Sequence, residues 1–96
     1  MRYFHRTSLS IADVLAEADA FLGQWMETTA HRGPHRGFRH PAGMVTVDVR
    51  AEGGHYTYVA VATDQVGESE VDKLAKRFLA VLHTKVHHSH ELRGAY

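Results

Sequence analysis

Apolar and polar residues alternate with a period of two from Met44 to Thr63, written MVTVDVRA, then Glu52-Gly53-Gly54, then HYTYVAVAT. β-Branched and aromatic residues at alternate positions, flanking glycines that tolerate positive φ, predict a β-hairpin. With Gly53-Gly54 as a two-residue loop, Glu52 faces His55, Arg50 faces Thr57, Val49 faces Tyr58 and Val47 faces Ala60. This register collects Val45, Val47, Val49, Tyr56, Tyr58, Ala60 and Ala62 on one face. Thr46, Asp48, Arg50, His55, Thr57, Val59 and Val61 fall on the other, a mixed face that calls for a partner or a ligand.

Two segments repeat with helical spacing instead. Ile11, Val14, Leu15, Ala18, Phe21, Leu22, Trp25 and Met26 form one apolar stripe. Ser10 stands at its N-cap, Asp13 at the capping-box position, and Leu9 with Val14 at the staple positions. Its charges are all acidic (Asp13, Glu17, Asp19 and Glu27), and Gly23 weakens its end. The second helix starts at Ser69, with Asp72 three residues on, and buries Val71, Leu74, Ala75, Phe78, Leu79, Leu82 and Val86. Its acids come first and its Lys and Arg later, matching the helix dipole.

The remaining pieces are less regular. Residues 1–7 alternate as a short strand, Tyr3, His5 and Thr7 against Arg2, Phe4 and Arg6. Residues 28–43 break every periodicity, and three Gly and two Pro within them predict a loop, its basic part at 31–43. Residues 89–96 read as a flexible tail or a short last strand.

The resulting order is β-α-β-β-α with a possible short final strand. Two one-sided helices and an antiparallel sheet imply a single-domain, two-layer α+β sandwich over residues 1–96, ferredoxin-like or related. Without the final strand a sheet edge stays open, which points to a homo-oligomer, in the simplest case a homodimer.

Composition narrows the function classes. A chain of 96 residues has no Cys, which excludes disulfides, thiolate zinc sites and cysteine nucleophiles. Eleven basic and eleven acidic residues give a formal charge of zero, so no global field attracts nucleic acid or membrane. No apolar run approaches a membrane span and no signal-peptide core is present, so the default expectation is a cytoplasmic protein without a membrane partner. Nine His make the charge sensitive to mild acidification.

Three groups of residues carry candidate chemistry. Arg32, Arg36 and Arg39, interleaved with His31, His35 and His40 and free of acids, form a basic patch suited to phosphate or carboxylate. From it follow two readings. The preferred one is a non-enzymatic homo-oligomeric binding or assembly module using this loop as its contact surface. The other is a binder of nucleic acid or another anionic ligand through the three arginines, with His35 and His40 in the site.

Near the C-terminus, His83 and His87 stand four residues apart, with His88, His90 and Glu91 close behind. Two imidazoles at that spacing on a helix chelate a divalent ion of the zinc, nickel or copper class. Third, Gly54-His55-Tyr56-Thr57-Tyr58-Val59 bears a slight resemblance to the aromatic strand of RNA-recognition domains. However, His55 and Thr57 stand where that motif has small residues, and the register above buries both tyrosines. Core tyrosines are therefore expected, and no family is assigned.

Two weaker groups remain. Asp48 and His55 share the mixed face with Arg50 and Thr57, an acid/base pair only if they converge. Phe21, Trp25 and Met26 lie on the stripe of the first helix and are expected in the core. No nucleophile elbow, phosphate loop, metalloprotease helix or dinucleotide fingerprint occurs.

Overall fold

A computed structural model describes the backbone of residues 1–94 and the side chains of residues 1–86. Five strands and two helices follow in the order β1 (Arg2–Thr7), α1 (Ile11–Leu22), β2 (Glu27–Arg32), β3 (His35–His40), β4 (Gly43–Glu52), β5 (Tyr56–Thr63) and α2 (Glu70–Gly94). All strands lie in one antiparallel sheet of order β1-β5-β4-β3-β2. The class is α+β, but the expected β-α-β-β-α sandwich of ferredoxin-like type is overturned. The segment read as a loop supplies two strands, and the position considered for a final strand is helical through Gly94.

The hidden hairpin β2–β3 has a physical explanation. Gly33 has φ of 51° and is followed by Pro34 with its fixed negative φ, the combination that turns a hairpin within two residues. β2 is an edge strand exposed along most of its length, so it needs no apolar alternation. In β3 the helix-facing positions are Arg36, Phe38 and His40, of which only Phe38 announces itself as core.

The central hairpin forms, but one residue out of the expected register. Glu52 pairs with Tyr56, Val49 with Val59 and Val47 with Val61. The loop therefore has three residues, and Gly53 and Gly54 both adopt left-handed φ, 30° and 66°. Because side chains alternate, a shift of one exchanges the two faces of β5. Val59 and Val61 join Val45, Val47 and Val49 beneath the helices, and all five are buried. Tyr56, Tyr58, Ala60 and Ala62 turn outward. The observed register removes the mixed face from β5: its valines go to the core, and its tyrosines keep their hydroxyls near water.

Both helices lie on the same side of the sheet and contribute Val14, Ala18 and Leu22, and Val71, Leu74, Ala75, Phe78 and Leu82, to one core. The caps are as expected: Ser10 Oγ accepts from Asp13 N at 3.0 Å and Ser69 Oγ from Asp72 N at 3.1 Å. α1 ends earlier than its stripe suggests. A Cβ at Gly23 would clash with the Asp19 carbonyl oxygen, so the close turn there requires glycine. Met26 still reaches the core from beyond the helix, whereas Trp25 is exposed.

Asp72 ties three elements together. Fully buried, it accepts from Tyr3 Oη at 2.8 Å, from Thr63 Oγ1 at 2.9 Å and from the Ser69 hydroxyl. Burial pushes its carboxyl pKa up, but the bonds from Ser69, Tyr3 and Thr63 outweigh this and hold it below the ordinary value. The Tyr3 phenol is correspondingly raised, first by its bond to Asp72 and then by burial. Asp72→Ala should cost about 1.5–3 kcal/mol in urea unfolding, the range for bonds to a buried charge, whereas exposed Asp13→Ala should stay within about 1 kcal/mol. With the folded-state pKa depressed, the Asp72 contribution is complete above its unfolded value of about 3.9. It is lost as pH falls through the folded-state value, so the wild-type advantage over Asp72→Ala should shrink on acidification.

Candidate functional site

Among the described residues no helix covers the second face of the sheet, and the register gives its composition row by row. Arg2, Ala62, Thr46, Gly37 and Ala30 form one row across all five strands, and Phe4, Ala60, Asp48, His35 and Arg32 form the next. Arg6, Tyr58 and Arg50 follow, then Tyr56 with Glu52. At the opposite end lie Met44, Arg39 and Glu27.

Five arginines and three carboxylates thus share this face, an excess of two positive charges in a chain whose formal total is zero. Arg6 bonds the half-buried Glu52 at 2.8 Å, and Arg39 bonds Glu27 at 3.1 Å in a pair open to solvent. His35 Nδ1 lies 2.6 Å from Asp48 Oδ1. Arg2 and Arg32 have no ion pair among the described residues.

The aromatic groups cluster at the β1–β5–β4 end. Phe4 stacks on Tyr58 with centroids 5.7 Å apart and planes at 29°. The Arg50 guanidinium sits 4.6 Å from the Tyr58 ring centre, a cation–π contact. Phe4 and Tyr56 are more than half exposed, at 56% and 58%, which is unusual for rings on a sheet. A hollow of about 260 Å³ opens between Phe4, Asp48, Arg50, Tyr58 and Ala60. Its floor is low at Ala60, whose side chain is a single methyl. A Cβ at Gly37 would press on Ala30 Cβ and Thr29 Oγ1, both at 3.1 Å, where β2 bulges over it.

The basic segment read from the sequence is divided between the two faces. Arg32, His35 and Arg39 lie on the open face. Arg36 does not: only 6% exposed, it points to the helix side and bonds Asp19 of α1 at 3.0 Å, Gly33 O at 2.7 Å and His35 O at 3.0 Å. Its guanidinium is a structural tie. His40 is likewise on the helix side, its Nδ1 accepting from Ala42 N at 2.9 Å. The sequence reading missed Phe4, Arg50, Tyr56 and Tyr58 as one group, because the two-residue loop sent both tyrosines inward. The outward valines implied by that register were the signal against it.

The other candidates also resolve. Asp48 meets His35 and not His55, and Thr57 is buried, donating to Leu9 O at 2.6 Å. Phe21 and Trp25 flank the Arg77 guanidinium, 5.8 Å and 5.7 Å from it, beside a groove of about 470 Å³ lined by Phe21, Arg77, Ala80, Val81, Thr84 and Lys85. His83 lies beside His5 of β1, while the side chains of His87, His88 and His90 fall outside the described residues. Among the described residues no group of three or more metal-binding side chains occurs, and no helix is long and apolar enough to cross a membrane. Compared with models of protein families, with curated proteins and with solved structures, the chain has no match in any of the three.

The two tiers of arginine should separate in urea unfolding. Asp19→Ala strands the buried Arg36 guanidinium and should cost about 1.5–3 kcal/mol, while Arg32→Ala should remain within about 0.5 kcal/mol.

Proposed function

We propose that this chain is a small binding module that takes single-stranded nucleic acid across the helix-free face of its sheet. The observation that carries the reading is the grouping of Phe4, Tyr56, Tyr58 and Arg50 on one open surface with an excess of arginine. Aromatic rings stack on any base, and guanidinium forks meet phosphate oxygens two at a time. The small Ala60 side chain in the hollow beside Phe4 and Tyr58 leaves room for a base to lie against the strands. Arg32 and Arg39 extend the basic track towards β2, and Arg50 takes the anion-binding part first assigned to Arg36.

A second reading is self-association, favoured by the outer edge of β2, which pairs with no strand among the described residues. The bulge between Thr28 and Ala30 and the terminal charges Glu27 and Arg32 are devices that discourage edge pairing, so this reading ranks second.

Fluorescence anisotropy with labelled oligo-dT and oligo-U tests the first reading and distinguishes DNA from RNA. Binding should weaken with salt, with a log–log slope of about −0.7 per phosphate contacted. Phe4→Ala, Tyr56→Ala and Arg50→Ala should each weaken it roughly tenfold. No binding at low salt, or binding indifferent to salt, removes the reading. A dimer in light scattering that binds neither oligonucleotide favours the second.

A further inference from the structure

Asp48 is a carboxylate on a face whose excess charge suits phosphate, and the register sets where it stands. Phe4, Ala60 and Asp48 follow one another across β1, β5 and β4 in a single row. Two strand spacings, about 10 Å of backbone, separate the ring from the carboxylate, and the Ala60 methyl lies between them. The hollow of about 260 Å³ occupies that gap, with Tyr58 and Arg50 of the next row in its lining. We propose that this hollow takes guanine in preference to the other bases, Asp48 accepting from its N1–H and its N2 amine. The inference rests on the single-strand reading above.

An ionised carboxylate only accepts hydrogen bonds, and it binds best as a fork, one oxygen to each of two parallel donors. The bases differ in how their Watson–Crick edges meet such a fork. Guanine places N1–H beside the N2 amine, two donors side by side. Adenine and cytosine set their amine beside a ring nitrogen whose lone pair repels a carboxylate. Uracil and thymine offer one N–H between two carbonyl oxygens, which repel it as well. Of these bases, guanine alone meets Asp48 without a repulsive contact. Arg50 lies two residues along the same side of β4 and supplies donors for the guanine O6, an oxygen that arginine commonly contacts.

The surroundings of Asp48 suit this use. His35 Nδ1 lies 2.6 Å from its Oδ1, and Oδ2 has no hydrogen-bond partner among the described residues. The carboxylate is thus oriented and still keeps lone pairs on both oxygens. Its side chain is 60% exposed, so a base reaches it without rearrangement of the sheet. On a surface that collects phosphate, a carboxylate weakens binding unless a donor on the base meets it.

Fluorescence anisotropy of the full chain with oligo-dT carrying a central guanine, adenine, cytosine or thymine tests the selection. The guanine strand should bind at least about fivefold more tightly than the other three, the lower end of what one bidentate base contact discriminates. Inosine keeps N1–H and O6 but lacks the N2 amine. It should bind several-fold more weakly than guanine, a readout that needs no variant. Asp48→Asn replaces one acceptor by a donor and should bring guanine level with the other bases, melting curves establishing that it is folded. Equal affinity for the four strands, or a preference for another base, overturns the inference and leaves the stacking surface standing. So does a guanine preference that survives in Asp48→Asn, or inosine binding as tightly as guanine. No binding of any strand at low salt removes the single-strand reading itself, and this inference with it.

Discussion

The pairing of Val49 with Val59 and of Val47 with Val61 decides which side of every strand faces the helices. β5 is the shared neighbour of β4 and β1, so its orientation is passed to both. With its valines inward, Tyr3, His5 and Thr7 of β1 must face the helices, and Arg2, Phe4 and Arg6 must face away. The apolar core and the aromatic, arginine-rich surface are therefore two results of one register. A slip of one residue would place tyrosines under the helices and valines in water.

Two polar ties hold the helices on that sheet at opposite ends. Asp72 joins the first turn of α2 to β1 and β5 through Tyr3 and Thr63. Arg36 joins β3 to α1 through Nε and Asp19, while its Nη1 donates to the carbonyls of Gly33 and His35. Buried, paired charged groups are weak sources of net stability, but they discriminate against other packings. Here they fix where each helix sits relative to particular strands, a selection that the aliphatic core alone makes poorly.

What the sequence made legible is whatever short-range physics decides. Ser10 and Ser69 cap helices because a hydroxyl must meet an N–H three residues away, and both bonds are present. The stripes of α1 and α2 follow from helical spacing and supply most of the buried helix residues. β2 and β3 were illegible because an edge strand needs no apolar pattern and because the core position at Arg36 is filled by a charge whose partner lies seventeen residues away. The site was obscured for a related reason. Gly53-Gly54-His55 accommodates loops of two or three residues, and the choice is made by helices packing on valines rather than by the loop itself. Phe4 reaches Tyr58, and His5 reaches His83, only through long-range pairing that no local pattern encodes.

The place of β1 in the sheet has a consequence for how the molecule assembles. Strands β2 to β5 are joined by short turns, so each hairpin closes locally and early. β1 instead pairs with β5, Thr7 beside Thr57 and Arg2 beside Ala62, after the whole meander has intervened. Loop-closure entropy makes such distant pairing the slow event. β1, made before the four strands of the meander, is thus among the last to find its neighbour, and α1 has to wait for a sheet on which to dock.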